Sequence, residues 1–320
     1  SEKRLESVTL EIPKSFILTD ENNEKAVEND LTIEMLCSAA NDTLYNNFSW
    51  NSSAKPVNKG YIHLDISFSH TTEEEMYVNA MLRPGSIIYN DSLWTLQPAQ
   101  ISGGNNRYII DNLSLHGNNR FLNINGVLGN EEEDELKVAL HNIVLEDVFN
   151  LLNFHSVEFG GVATGNINAN SLLEAPQVDA SLDVEGFKFE GGYMGNLGFK
   201  GNWDKDNKAI VIHGEIDDES HTTLINGIVS PANDTINLEI EANGTRAEFL
   251  EHMIGDIVNN VESRAYGDIA VRGKLSDINL YGKLAPKGSM RVCVTNTTYD
   301  LIGDTISFTR NRIGFKDVRI

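Results

Sequence analysis

Apolar and polar residues alternate one by one along most of this chain, in short runs divided by Gly, Asn and Asp. Successive side chains of a strand point to opposite faces, so such runs predict strands buried on one side and joined by tight turns. Ile62, Leu64, Ile66 and Phe68 alternate with His63, Asp65 and Ser67. The alternation recurs at Leu136, Val138 and Leu140; at Val178, Ala180, Leu182 and Val184; at Ile236, Leu238 and Ile240; and at Ile269, Val271, Ile278, Leu280 and Leu284. With the usual five or six residues per strand, about sixteen to twenty strands fill the chain.

Two segments break the alternation and carry apolar residues at helical spacing. One runs from Leu145 to Phe154, with Leu145, Val148, Leu151 and Leu152; the other from Ala247 to Asn260, with Leu250, Met253, Ile254, Ile257 and Val258. Each opens with a carboxylate, Glu146 or Glu248, where the positive end of a helix favours one. These segments expose an internal repeat. Val148, Leu151 and Leu152 map onto Leu250, Met253 and Ile254 at an offset of 102, and the register holds through Leu136 to Leu238, Gly165 to Gly267, Ile167 to Ile269, Val178 to Leu280 and Leu182 to Leu284. Upstream, Asn125-Gly126 maps onto Asn226-Gly227 at 101, so one residue is gained between the two blocks. The matching positions are apolar or turn residues, so the repeated object is a fold unit. We therefore expect an N-terminal strand unit over 1–107, a first repeat over 108–205 with its helix near 145–154, and a second over 206–320 with its helix near 247–260. The expected fold is all-β with two short helices: an elongated, curled antiparallel sheet built from repeats, a β-trough.

Charge narrows the function. The chain carries 25 Lys+Arg against 47 Asp+Glu, a net −22 over 320 residues, which disfavours binding to nucleic acid or to an anionic membrane surface. An apolar fraction of 40% is enough for a folded core. No run approaches the roughly 18 apolar residues of a membrane helix. The opening Ser1-Glu2-Lys3-Arg4 lacks an initiator Met and a signal core, so the sequence reads as an excised piece of something longer.

Motifs for chemistry are sparse, and neither a catalytic nor a metal centre nor a cofactor is expected. Cys37 and Cys293 lie far apart without metal-ligand spacing and read as two thiols, or failing that one long-range disulfide. His63, His70, His116, His141, His155, His213, His221 and His252 are dispersed. Asp204-Lys205-Asp206-Asn207 lacks the Gly and distal Glu of a calcium loop and reads as a hairpin turn. No nucleophile elbow and no phosphate-cradling glycine loop is present. Trp50, Trp94 and Trp203 would make a sugar-stacking platform only if the fold gathered them; otherwise each is a core or edge aromatic. Four triplets, Asp42-Thr43-Leu44, Asp91-Ser92-Leu93, Asp234-Thr235-Ile236 and Asp304-Thr305-Ile306, resemble the O-glycosylation acceptor of exported Bacteroidetes proteins, and are also what turn-to-strand junctions produce.

The arrangement as a whole resembles the C-terminal region of the TamB family, in the AsmA-like group of bacterial envelope proteins and its Bacteroidetes branch. The resemblance is carried by Asn90-Asp91-Ser92-Leu93-Trp94, Leu122-Asn123-Ile124-Asn125-Gly126, Asp134-Glu135-Leu136-Lys137-Val138 and Gly160-Gly161-Val162-Ala163-Thr164-Gly165. Tyr266-Gly267-Asp268-Ile269-Ala270-Val271-Arg272-Gly273 and the closing Leu280-Tyr281-Gly282-Lys283-Leu284, Ile306-Ser307-Phe308 and Ile313-Gly314-Phe315 extend it. It covers most of 60–320.

That resemblance implies a sheet curled lengthwise into a trough, in the periplasm, in a full-length protein anchored in the inner membrane. Its partners would be phospholipid acyl chains moving between the inner and outer membranes and an outer-membrane barrel protein. Alternation supports the physics, because it supplies an apolar row on one face and a hydrated row on the other. The residues expected to line the groove are Leu136, Val138, Val178, Leu182, Leu238, Ile240, Ile269, Val271, Leu280 and Leu284. Two alternatives stand beside the lipid conduit: a scaffold for outer-membrane protein assembly by β-strand addition, and a non-transporting structural or carbohydrate-binding β-sandwich, which needs the same period.

Overall fold

The computed structural model describes residues 8–12, 31–40, 42–53, 55–70, 76–151, 158–173, 177–230, 233–275, 277–302, 305–310 and 312–316. Eleven strands come first: β1 (Val8–Ile12), β2 (Leu31–Ala40), β3 (Thr43–Ser52), β4 (Lys59–His70), β5 (Met76–Leu82), β6 (Gly85–Tyr89), β7 (Ser92–Leu96), β8 (Ala99–Gly104), β9 (Arg107–Gly117), β10 (Arg120–Leu128) and β11 (Glu135–Val144). Then follow α1 (Leu145–Leu151), β12 (Phe159–Asn170), β13 (Gln177–Phe189), β14 (Gly192–Asp204), β15 (Ala209–Asp218), β16 (His221–Ser230) and β17 (Thr235–Arg246). The chain closes with α2 (Phe249–Ile254), β18 (Val258–Lys274), β19 (Asp277–Val292), β20 (Thr297–Ile302), β21 (Thr305–Thr309) and β22 (Arg312–Lys316). The fold class is the expected one, an all-β antiparallel sheet with two short helices. Among the described residues no helix is long and apolar enough to cross a membrane. Two compact units form, Ser1–His141 with Asn168–Pro176, and Asn142–Ile167 with Gln177–Ile320.

The first unit is an up-and-down meander whose middle strands are broken. β5 and β6 both pair with β4, the former through Leu64–His70 and the latter through Lys59–Tyr61, so together they are one long strand. β7 and β8 pair likewise with β9. The breaks fall at Arg83-Pro84 and Gln97-Pro98, where a ring nitrogen has no hydrogen to give the ladder. Arg83 turns outward there, and its Nε and Nη2 donate to Asp65 Oδ2 at 2.8 and 2.6 Å. Such breaks raise the strand number above the expected sixteen to twenty. The hairpins close on Asn90-Asp91 and Asn105-Asn106, all four at φ 47–60°. That left-handed conformation is tolerated by Asn and Asp and matches strand twist. It also locates the acceptor-like triplets: Asp42, Asp91 and Asp234 have φ of 59, 60 and 51°, and the Ser or Thr that follows opens a strand. Asp304 lies outside the described residues.

In the second unit β13 through β19 pair each with the next antiparallel, the register shifting only toward α2, between Val184 and Lys188, at Gly244 and between Asn259 and Glu262. The sheet curls. β14 and β17 are separated by β15 and β16, yet Cα atoms of the two approach within 8 Å, and Arg246 at the end of β17 lies over the Tyr193 ring at the start of β14, 5.1 Å from its centroid. Glycine permits this at Gly227 and Gly282, with φ of 149 and 135°, where a Cβ would meet a backbone oxygen of an adjacent strand, Asn237 or Asp268, at 2.1 Å.

The two helices occupy matching places. Each follows a strand that kinks through one left-handed residue, Asn142 before α1 and Gly244 before α2, 102 positions apart. Each is tied to the strand after it by a carboxylate: Glu146 accepts the Gly161 N–H at 3.2 Å, and Glu251 accepts that of Val261. α2 is shorter than expected. Helix α2 stops at Gly255, and Val258, expected to be helical, opens β18 instead, buried with Ala247 and Val261 against Leu250 and Met290. Leu152 lies outside the described residues.

Candidate functional site

Residues directly paired in an antiparallel sheet share a face, so the registers sort the second unit's side chains without ambiguity. Leu182, Phe199, Gly214, Ile225, Ile240, Ile269, Gly282 and Phe308 form one row across the strands. Two residues along lies Ala180, Gly201, Ile212, Gly227, Leu238, Val271 and Leu280. Beyond it comes Trp203, Ile210, Val229, Ile236, Gly273 and Ile278. In the other direction, toward α2, lies Val184, Leu197, Ile216, Thr223, Ala242, Gly267 and Leu284. The opposite face is mostly polar: Lys200, His213, Asn226 and Glu239 share one row with Ala270 and Tyr281, Glu215, Glu241, Asp268 and Lys283 share another with Leu224, and Val211 and Ile228 pair in a third among Asn202, Asn237 and Arg272. A hollow of about 450 Å³ beside Gly282 is lined by Asn226, Glu239, Glu241, Asp268 and Tyr281 together with Ile240 and Ile269.

Burial along this apolar face is graded. At the α2 end Val184 and Ile216 are 3% exposed and Ala242 7%. In the middle Leu182, Leu238, Ile240 and Val271 are partly buried and Ile269 is 8% exposed. On β19, Leu280 in the row of Leu238 and Val271 is 44% exposed, and Ile278 in the row beyond it 47%. Of the expected groove residues, Leu182, Leu238, Ile240, Ile269, Val271, Leu280 and Leu284 thus share one face, and Val178 joins it by strand alternation. Leu136 and Val138 belong to the first unit, where Leu136 aligns with Ile110, Ile101, Ala80, Ile66 and Leu44, and Val138 with Ile124 and Leu113.

Two clusters that the sequence did not signal close the α2 end. One is aromatic: Phe149 of α1 contacts Phe159 at 5.7 Å between ring centroids, Phe159 contacts Phe187 and Phe189 at 6.2 and 6.1 Å, and Phe189 contacts Phe249 of α2 at 5.6 Å. The other is ionic. Asp218 Oδ2 accepts from Arg246 Nε at 2.7 Å and meets Arg264 Nη2 at 2.6 Å, while Arg246 Nη1 also reaches Glu248 at 2.9 Å. Burial pushes the Asp218 carboxyl up, but hydrogen bonds from Arg246 and Arg264 outweigh it and hold the group below the usual carboxylate range. Asp218 in turn raises Arg246.

Other candidate groups fall in ordinary structural places. Asp204 caps its own hairpin, accepting the Asp206 and Asn207 N–H groups at 2.9 and 3.1 Å, and the Asn207 side chain and backbone lower its pKa. Cys37 and Cys293 are free thiols bonded to Asn46 Oδ1 and the Gly255 carbonyl. Trp50 and Trp94 share a row of the first unit through Gly60 and Ile87, with Arg120 stacked on Trp94 at 4.4 Å, whereas Trp203 is in the second unit. Among the described residues no three His, Cys, Asp or Glu side chains are placed to hold a metal ion. His155 lies outside those residues. Set against family models, curated proteins and solved structures, the chain has no match.

Proposed function

We propose that this chain is a segment of a periplasmic, TamB-like envelope protein whose apolar sheet face carries phospholipid between the inner and outer membranes. The full-length protein is then anchored in the inner membrane, and an outer-membrane barrel protein is its partner. One observation carries the reading: in the second unit Leu238 and Val271 are only partly buried and Ile278 and Leu280, in the same apolar rows and the next, are 47% and 44% exposed, while the other face carries most of the charge. The core of a closed sandwich buries such residues, and an apolar face of this extent left in water marks a binding surface. Acyl chains satisfy it while head groups stay hydrated.

The test is organic extraction of protein purified without detergent, followed by mass spectrometry of the extract. Phospholipid in stoichiometric amount is expected, and Val271→Lys, at mid-face, should lower it several-fold while keeping the fold. Lipid-free protein that also takes up none from vesicles would rule the conduit out.

A further inference from the structure

We propose that the apolar face of the second unit is a blind-ended slot in which acyl chains lie along the strands, methyl ends toward α2 and head groups at the opposite rim. The inference rests on the lipid reading above and adds the direction of the bound molecule and the limit on its length.

Closure at one end is built by several independent contacts. Arg246 reaches across to Tyr193, Asp218 holds both Arg246 and Arg264, and Phe189 meets Phe249, so the strand ends nearest α2 are drawn together. Gly192 packs so closely under α2 that a Cβ there would lie 2.2 Å from the Phe249 nitrogen. Arg246 and Arg264 at this end already hold Asp218 and Glu248, and the phenylalanine rings beside them offer a phosphate no donor. The other end is open, with Ile278 and Leu280 exposed, and its turns carry both signs of charge at the exposed Asp206, Lys208, Lys274 and Asp277. A head group with a phosphate beside an ammonium meets exposed charge of both signs there.

Length agrees. From Ile278 to Leu284 the slot spans six residue steps of β19, about 20 Å at the rise of a strand. The chains of one bilayer leaflet reach about 15 Å, half the hydrocarbon thickness. Ordinary membrane chains therefore fit between rim and plug, and much longer ones do not.

Trp203, in the row at the rim, reports the direction. With Trp50 and Trp94 replaced by Phe it is the sole tryptophan, and the protein is loaded with phosphatidylcholine brominated either near the carboxyl or near the methyl end of its chains. Near-carboxyl bromine is expected to cause the larger loss of emission. The reverse order, equal loss, or no loss despite bound lipid overturns the proposed direction; absence of any bound lipid overturns the conduit reading itself. If the double replacement unfolds, the same comparison is read as the difference in emission between the wild-type chain and Trp203→Phe. A second arm loads dilauroyl, dipalmitoyl and diarachidoyl phosphatidylcholine. Uptake should fall several-fold for the longest, and Val271→Trp should move the preference to the shortest. Length-independent uptake unmoved by that substitution overturns the slot.

Discussion

At the α2 end of the second unit, the apolar row through Val184, Ile216 and Ala242 is sealed by helix, phenylalanine rings and a buried ion cluster. Six residues along the same strands, the row of Trp203, Ile210, Val229 and Ile236 is only partly covered and ends on Ile278, 47% exposed. Both rows obey the same alternation, so alternation says only which face a side chain takes. What decides its burial is whether anything reaches over it. At the sealed end long-range partners do so, and they come from segments far apart in sequence: Asp218 and Arg264, Phe159 and Phe189, Phe189 and Phe249.

The sharpest way to break this contrast is a lysine at the sealed end. Ile216→Lys places an ammonium among Val184, Leu197 and Thr223 with no route to water, and should cost about 4 kcal/mol or more, as an unpaired buried charge does. Loss of the cooperative melt is the expected result; a melting temperature within a few degrees of wild type would mean that the end is not sealed.

Next comes the ion cluster. Asp218→Ala leaves two arginines with half their partners and should destabilise by about 3 kcal/mol, at the low end for a broken buried pair because Arg246 and Arg264 keep some contact with water. The pH dependence has a definite sign. The Asp218 carboxyl is held below its unfolded value, so its stabilisation is complete at neutral pH and is lost as pH falls through the depressed folded pKa. Wild-type protein should therefore lose stability toward strong acid more steeply than Asp218→Asn, measured by chemical denaturation at a series of pH values. Parallel curves would remove the cluster from the account.

Phe189→Ala follows, at about 2 kcal/mol, less than the cost of a fully buried phenylalanine because the ring is half-buried. It opens the plug between α1 and α2 and should admit longer acyl chains, so uptake of diarachidoyl phosphatidylcholine should rise while the melting temperature falls. A fall without the rise would leave the cluster a purely structural device.

Much of this was legible in the sequence, and the reasons differ by level. Period two gave the faces: Leu238 with Ile240, Ile269 with Val271 and Leu182 with Val184 need only the pleat to be placed together. The matching places of the two helices trace to Asn142 and Gly244, both residues that accept a left-handed kink. The shorter α2 was hidden because Ile257 and Val258 continue an apolar spacing that a strand entry satisfies equally well. The broken strands of the first unit were written in Pro84 and Pro98, a signal visible in the sequence. The phenylalanine and aspartate–arginine clusters had no local signature, since their members meet only after the sheet has curled.

The smallest effect belongs to the open end and is the most discriminating. Leu280 shares its row with Leu238 and Val271 and is 44% exposed. A lysine there keeps its methylenes on the apolar row and extends its ammonium past the rim, so Leu280→Lys should change stability by only about 0.5 kcal/mol. The same substitution puts a cation in the path of the chains, so lipid uptake should drop although the melting temperature barely moves. Ile216→Lys and Leu280→Lys introduce the same group on the same face, and the large difference in melting between them measures how completely one end is covered and the other is not. Equal, large losses would mean a layer covers Leu280 as well, and would favour the closed sandwich. Equal, small losses would mean neither end is closed, and the slot would have no floor.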